Sequence, residues 1–158
     1  DTLISLSRLL PASAVLVVVG VKAKEAETIS RLNLPNVTMV RRVVPKNIPH
    51  YLLSADILIN PLTITYPGSI SSKLYEYLAS GKPIVSSAGG ANREILEDGK
   101  NALIVDPPTA ENFARAIERI LQDDNLRQSL SENARESAKK YTWQKRALII
   151  YQFLHTFA

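Results

Sequence analysis

Continuous apolar runs along the chain alternate with segments in which apolar residues recur every three or four positions. The continuous runs predict five strands, at residues 14–19, 37–40, 57–60, 84–86 and 102–105. A run with little polar interruption is typical of a strand buried on both faces of a parallel sheet. Strands that alternate with helical segments predict βαβ units with right-handed crossovers. The pattern therefore predicts a Rossmann-like α/β fold, with a parallel sheet flanked by helices.

Helical periodicity predicts a helix in most of the intervening segments and three helices in succession after the last strand. The earlier helices are predicted at residues 3–10, 25–32, 48–54, 71–80 and 94–97. Among the last three, Phe113 and Ile117 mark the apolar face of the first, and Thr142 is the predicted N-cap of the third. The chain is thus predicted to be one domain over residues 1–158.

The stretch over residues 56–87 has the clearest chemistry. A short strand is followed by a loop with glycine and proline and then by an amphipathic helix, for which Ser71 or Ser72 suits the N-cap and Gly81 the C′ position. A strand that leads into a helix N-terminus forms an anion site, because free N–H groups and the helix dipole point the same way. Glu76, about one turn further in, is placed to bind a sugar diol. This stretch predicts a nucleotide or nucleotide-sugar pocket.

Three loops follow successive strands and are predicted to line one crevice at the carboxyl edge of the sheet, where α/β proteins bind ligands. They cover residues 41–45, 61–71 and 87–92. The middle loop has the chemistry to bind an anion, because its glycine allows close approach of the backbone and its serines offer successive N–H groups.

Composition excludes several functional classes. The 158 residues are 46% hydrophobic and 22% charged, as in an ordinary globular domain. There are no cysteines and only two histidines, His50 and His155, so no metal site is predicted. The net charge of +4 comes without a stripe of basic and aromatic residues, so no nucleic-acid partner is predicted. No apolar run reaches the roughly 20 residues that a membrane-spanning helix needs.

Five pieces of the sequence, taken in order, resemble the donor-binding half of the group 1 glycosyltransferases, a large group of retaining enzymes with the GT-B fold. The pieces are residues 55–61 (ADILINP), residues 73–85 (KLYEYLASGKPIV), Gly89-Gly90 with Glu94, residues 98–99 and residues 101–105. The resemblance covers essentially the whole chain. It implies one half of a GT-B fold and a nucleotide-sugar donor of the UDP or GDP type as co-substrate. It also implies transfer of a hexose-type sugar with retention, without a metal ion or other cofactor.

Nine residues are predicted to bind the donor: Glu76, Gly68, Ser69, Ile70, Ser71, Ser72, Lys73, Arg42 and Val43. Glu76 stands at the family's second motif glutamate, so the resemblance implies that it binds the ribose; the alternative is a solvated helix residue. The amides of residues 68–72 are predicted to hold diphosphate or sugar oxygens, and the alternative is an ordinary loop with an N-cap. Lys73 is predicted either to place its ammonium on the diphosphate or to face solvent.

The sequence departs from the family at two positions. The first motif acid would stand eight residues before Glu76, where this chain has Gly68. The catalytic residues are therefore unassigned, and catalytic competence depends on this position. The family commonly has a glycine after the second strand, where this chain has Arg41 and Arg42. The backbone of Arg42 and Val43 is then expected to lie along the edge of the nucleotide base, with an arginine guanidinium stacked on the base. The alternative is that both arginines are simply exposed at the end of the strand.

The end of the chain suggests further partners. Residues 141–158 resemble the segment that crosses back onto the partner domain, which would be an N-terminal acceptor-binding half. Basic residues at positions 139, 140, 145 and 146 flank Trp143. They predict either contact with an anionic membrane or a solvated surface around a core tryptophan. The start at Asp1, without methionine or a signal-peptide pattern, predicts a piece of a longer protein, in the cytoplasm or at the membrane surface facing it.

The main hypothesis is therefore the C-terminal, nucleotide-sugar-binding domain of a two-domain retaining glycosyltransferase, inactive when alone. One alternative is a nucleotide-sugar 2-epimerase of the same fold, although the acidic and histidine catalytic residues that it needs cannot be placed here. The other is a non-catalytic module that binds a nucleotide or docks a partner. The base, the sugar and the acceptor are not specified, since fold alone does not decide them.

Overall fold

The computed structural model describes residues 2–62 and 68–156. Its helices are α1 (Thr2–Leu9), α2 (Ala23–Ser30), α3 (Ile48–Ser54), α4 (Lys73–Ser80), α5 (Ala110–Gln122), α6 (Asp124–Ala138) and α7 (Trp143–His155). Its strands are β1 (Leu16–Val21), β2 (Val37–Arg41), β3 (Leu58–Asn60), β4 (Ile84–Ser87) and β5 (Leu103–Val105), with 3-10 turns at Pro45–Asn47 and Gly90–Glu94. The predicted α/β class is confirmed. The ends of the predicted domain 1–158 and of the predicted crossover segment 141–158 lie outside the described residues.

The five strands form two parallel sheets. β1 pairs with β2, with Leu16 opposite Val37, and the other sheet has the order β3-β4-β5. In that sheet Leu58 lies opposite Ile84. The predicted parallel direction is correct. The prediction of one sheet is wrong for the described strands, which form two sheets. The sequence could not show this, because an apolar run does not specify which strand lies beside it.

The three-stranded sheet has a core on each face. Ile84 and Val85 are adjacent in β4 and so point to opposite faces. Val85 belongs to a cluster with Leu6 of α1 and Phe113 of α5. Ile84 belongs to a second cluster, which includes Leu74 and other buried residues of α4 and α6. The first cluster anchors α5, and the second fixes α4 against the sheet.

The two-stranded sheet is less well covered. Val15 and Val17 are 61% and 49% exposed, although Leu16 and Val21 are buried. The prediction that residues 14–19 are buried on both faces is therefore wrong for these two valines. A two-stranded sheet supplies few neighbours for the outward side chains of its strands.

Helix α7 contains no buried residue. Trp143 is 78% exposed, with the Arg146 guanidinium 5.8 Å from its ring centre, so the interpretation of Trp143 as a core residue is wrong. Tyr141, just before the helix, packs edge-on against Tyr75 of α4 with ring centroids 5.5 Å apart. Over the ranges that the structure describes, no helix is long and apolar enough to cross a membrane.

Candidate functional site

Helix α4 is fixed in place at both its middle and its end. Leu74 and Leu78, one turn apart, are fully buried. The helix ends at Gly81, whose φ of +66° confirms the predicted C′ glycine. A Cβ at Gly81 would stand 2.7 Å from Nε of Arg135 on α6. The helix start is therefore held at the carboxyl edge of the three-stranded sheet, where the sequence predicts the ligand.

The start of α4 has no side-chain cap. Ser72 occupies the N-cap position, as predicted, but its backbone is helical (φ −56°, ψ −32°) and its side chain makes no capping hydrogen bond. The amides of Leu74 and Tyr75 bond to the carbonyls of Ser71 and Ser72 at 2.9 and 3.3 Å. The amides of Ser72 and Lys73 have no acceptor within the described residues. The prediction of Ser72 at the N-cap position is correct, but the predicted capping hydrogen bond is absent from the described structure. The two free N–H groups are therefore available to an anion.

Lys73 is half-buried at the first position of this helix. Burial lowers the pKa of its ammonium from the ordinary 10.5, and no carboxylate contributes an opposing effect. The helix dipole also disfavours a cation at an N-terminus. A bound anion would offset both effects. Lys73 is thus not a fully solvated residue, while its contact with a diphosphate stays a prediction.

The loop before α4 is tied to the loop after β4. The Ser71 amide donates to Oδ1 of Asn92 at 3.2 Å, and the Ala91 amide donates to the carbonyl of Ser69 at 3.4 Å. Asn92 lies in the 3-10 turn and is only 2% exposed. The structure therefore brings together two of the three predicted loops. It also shows that the Ser71 amide is already occupied.

Glu76 is exposed and lines a cavity of about 360 Å³ beside α3. The rest of the lining is mainly apolar and consists of Pro45, Ile48, Pro49, Leu52, Leu53, Ala79 and Ser80. None of the salt bridges in the described part of the chain involves the Glu76 carboxylate. The carboxylate can therefore accept hydrogen bonds from a ligand next to an apolar surface.

The other predicted residues lie on either side of this region. Gly68 is exposed, has φ +74° and would meet no atom within 4 Å if it carried a Cβ. Ile70 packs partly against the α4 cluster. Arg42 is exposed and Val43 half-buried, on the loop that leads to Pro45 of the cavity. As far as the described residues show, no hydrogen bond joins Arg42 or Val43 to residues 68–73.

Sequence reasoning missed two buried asparagines near these loops. Asn60 ends β3; its Nδ2 donates to Oγ of Ser86 at 2.9 Å, and its carbonyl accepts from Oγ of Ser87 at 3.3 Å. In the described parts of the chain, Oδ1 of Asn60 and Nδ2 of Asn92 have no partner. A polar residue at the end of an apolar strand is the signal that could have identified Asn60. The contact between Asn92 and Ser71 is distant in sequence and has no local signal.

A larger groove of about 720 Å³ lies at the opposite edge of the sheet. It is lined by Asp56 and Lys82, which precede β3 and β4, and by charged residues of α6. Ligands of α/β sheets bind beyond the carboxyl ends of the strands, not at this edge. The candidate site is therefore the start of α4. Within residues 2–62 and 68–156, no group of three or more His, Cys, Asp or Glu could hold a metal ion.

The sequence matches a family of known enzymes. The family model described as glycosyl transferases group 1 matches residues 1–137. Spore coat protein SA of Bacillus subtilis is 29% identical over 124 residues, which are 77% of this chain and 32% of that protein. The chain thus spans about a third of the length of this curated relative.

The fold recurs in solved structures. Sucrose-phosphate synthase from Thermosynechococcus elongatus superimposes with a TM-score of 0.82 at 25% identity, covering 99% of this chain and 41% of that one. HepE from Anabaena, in complex with UDP, gives a TM-score of 0.84 at 20% identity, covering 98% of this chain and 44% of that one. The family match covers most of the sequence, and the structural similarity covers nearly all of it. The chain therefore belongs to the group 1 glycosyltransferase family, with the GT-B type of fold.

Proposed function

We propose that this chain binds the nucleotide-sugar donor of a two-domain retaining glycosyltransferase, which moves a hexose-type sugar to a glycan, lipid or other acceptor. The observation that carries the proposal is the start of α4. There the free amides of Ser72 and Lys73 lie together with the half-buried Lys73 ammonium. HepE has been crystallised with UDP-glucose and with UDP, which supports a donor of the UDP type, with a GDP type as the alternative.

In this proposal the donor's diphosphate binds at the N-terminus of α4. When the bond between the sugar and the diphosphate breaks, negative charge grows on the diphosphate. Amides and a cation that already point at that position stabilise the growing charge without reorganising. The amides of Ser72 and Lys73 and the Lys73 ammonium are the groups proposed for this role.

The nucleoside is proposed to lie between α4 and α3. The Glu76 carboxylate accepts hydrogen bonds from the two ribose hydroxyls. The base then lies toward the apolar cavity that includes Pro45 and Ile48. Arg42 and Val43 precede this part of the cavity wall in sequence, which supports their proposed place at the edge of the base.

The test is an NMR titration of the labelled chain with UDP, GDP and ADP, repeated with Glu76→Ala. We expect one nucleotide to shift the amides of residues 69–76, and we expect Glu76→Ala to weaken that response at least several-fold. Glu111→Ala is the matched control, because Glu111 is an exposed acid in the first turn of α5, just as Glu76 is in α4. The control should bind as the unmodified chain does.

Two results would count against the donor site. Absence of any shift with all three nucleotides at millimolar concentration would overturn the proposal. Equal weakening by Glu76→Ala and Glu111→Ala would show that the response does not depend on this position.

A non-catalytic nucleotide-binding module is the second candidate, and Gly68 is the observation that favours it. Gly68 stands where the family's first motif acid is expected. It is exposed and has no side chain, so this position supplies no carboxylate. Incubation of the full-length protein with UDP-glucose and GDP-mannose distinguishes the candidates. Turnover of either donor supports the enzyme, whereas binding without turnover supports the module.

We also propose that α7 docks on an acceptor-binding domain of the same protein. The helix has no buried residue, and its apolar side chains include Ile149, Ile150 and Leu154, each at least half exposed. Protection of Ile150→Cys from a thiol reagent in the full-length protein, but not in this chain, would support this docking.

The exposed Trp143 and its basic neighbours support a proposed cytoplasmic location at an anionic membrane. Binding of the chain to anionic but not to neutral vesicles tests this proposal.

A further inference from the structure

Asn92 is a buried amide that uses only part of its hydrogen-bonding capacity. Its Oδ1 accepts from the Ser71 amide at 3.2 Å, and its Nδ2 has no acceptor among the residues described. The Ser71 amide can only donate, so the atom facing it is the oxygen and the unpartnered atom is the nitrogen. With the residue 2% exposed, a donor left without a partner is both uncommon and destabilising.

Asn101 shows how the same protein satisfies an asparagine with a structural role. It is 1% exposed, and its Oδ1 accepts from the Glu97 amide at 2.8 Å. Its Nδ2 donates to the carbonyl of Ile95 and to Oγ of Ser137, both at 3.0 Å. Every polar atom of this side chain has a partner. Of the three buried asparagines in the described residues, Asn60 leaves an acceptor without a partner, and Asn92 is the one that leaves a donor.

The position of Asn92 indicates which kind of ligand group could accept a hydrogen bond from its Nδ2. Nδ2 and Oδ1 share one carbon atom, so Nδ2 lies close to the Ser71 amide that Oδ1 binds. The next two residues, Ser72 and Lys73, supply the free amides at the start of α4. Two amides and one ammonium thus lie on residues 72–73 without an acceptor in the described residues, and the Nδ2 donor of Asn92 lies near them on another loop. A ligand group that only accepts hydrogen bonds and carries negative charge, such as a phosphate, complements this set.

We propose that the loop after β4 shifts on donor binding so that Nδ2 of Asn92, which is buried without an acceptor in the described residues, donates to the donor's diphosphate, while Oδ1 holds the loop before α4 through the Ser71 amide. The proposal rests on the proposed function and adds a residue from the loop after β4 to it. One side chain then contacts the ligand and also positions the segment whose amides bind it.

The test uses the ¹⁵N-labelled chain with UDP and GDP, and with UDP-glucose and GDP-mannose. The side-chain NH₂ signals of Asn92, assigned in the unmodified chain, should shift on addition of the nucleotide that binds. Asn92→Ala and Asn92→Asp should each weaken binding about ten-fold or more, because a hydrogen bond to a charged group is lost. Asn92→Asp keeps an acceptor for the Ser71 amide, so it separates ligand binding from loop positioning. Asn101→Ala should lower Tm and leave the affinity within about two-fold.

The outcomes separate this proposal from the proposed function. If the unmodified chain binds a nucleotide while the Asn92 NH₂ signals stay in place and both variants bind normally, the assignment of Asn92 fails and the donor site stands. If no nucleotide binds the unmodified chain, both fail together. A loss confined to UDP-glucose or GDP-mannose would overturn the contact with the diphosphate.

Discussion

Helices α4 and α5 both follow strands of the three-stranded sheet, but they begin in different ways. α5 begins with Thr109, whose Oγ1 accepts from the Asn112 amide at 3.2 Å, and an acid, Glu111, follows in its first turn. α4 begins with Ser72, which makes no capping bond, and its first helical residue is the cation Lys73.

Each start leaves two amides without an acceptor in the described residues, those of Ala110 and Glu111 in α5 and those of Ser72 and Lys73 in α4. Each also has an acid in its first turn, Glu111 and Glu76. The difference is that α4 lacks the side-chain cap and carries at its first position a cation, which the helix dipole disfavours.

The same comparison extends to the two helices that follow α5. Helices α6 and α7 resemble α5, since Asp123 and Thr142 cap them through Leu126 and Lys145 amides. Of the helices α4 to α7, only α4 lacks a side-chain cap, and α3, which lines the cavity beside Glu76, lacks one too. Local choices that oppose a stable helix start are expected at functional positions, because the ligand supplies the missing partner.

The largest expected effect concerns the face that anchors α5. Phe113 is fully buried in the cluster with Leu6 and Val85, so Phe113→Ala should lower the free energy of unfolding by about 3–5 kcal/mol. Urea denaturation of the chain measures this. Ile150→Ala, on the exposed face of α7, is the control and should change the value by less than about 0.5 kcal/mol. If the two variants lost similar amounts of unfolding free energy, the packing of α5 against the sheet would not be a main source of stability.

A smaller effect compares the two helix starts directly. Thr109→Ala should lower the free energy of unfolding by about 1 kcal/mol, because it removes a capping hydrogen bond. Ser72→Ala should change it by less than about 0.5 kcal/mol, because no cap is lost. Chemical denaturation of both variants provides the measurement. A loss at Ser72 as large as that at Thr109 would mean that Ser72 caps α4 in solution and that the start of α4 is not open.

The sequence predicted those features that depend on neighbours along the chain. The turn at Gly81 requires a residue that accepts positive φ, and Leu74 and Leu78 lie four apart on one face, so the end and the buried face of α4 could both be identified. The strands were located because each is a compact apolar run. These local patterns were sufficient for the α/β class and for the position of the candidate site.

Other features depend on contacts between distant segments and leave no local pattern. The division into two sheets depends on which strand edges meet, and the exposure of Val17 follows from that division. Ser72 has the residue type of an N-cap but a helical backbone, so its propensity is overridden. The Asn92 contact with Ser71 depends on the path of the loop after β4. The sequence therefore indicated the position of the candidate site but not which of its polar groups lack a partner.

The smallest expected effect is a pH dependence that arises from Lys73. Its ammonium has a pKa below the ordinary 10.5 in the free chain because burial disfavours the charged form. A bound diphosphate favours the charged form, so binding above that lowered pKa requires uptake of a proton. The affinity for UDP should therefore fall as pH rises through the lowered pKa toward 10.5. The phosphate groups do not contribute, since their second pKa is about 6.

Calorimetric titration with UDP at a series of pH values from neutral to alkaline measures this decline, with Lys73→Gln as the control. The variant should bind several-fold more weakly near neutral pH and should lack the part of the decline that Lys73 causes. Tyr77, the nearby phenol on α4, is not expected to produce the same decline, because burial and the Glu76 charge raise its pKa above the ordinary 10.0. If the unmodified chain loses affinity no more steeply than Lys73→Gln, the ammonium does not meet the diphosphate. The start of α4 would then bind the diphosphate through its amides alone. The only functional difference between the starts of α4 and α5 would be the missing side-chain cap.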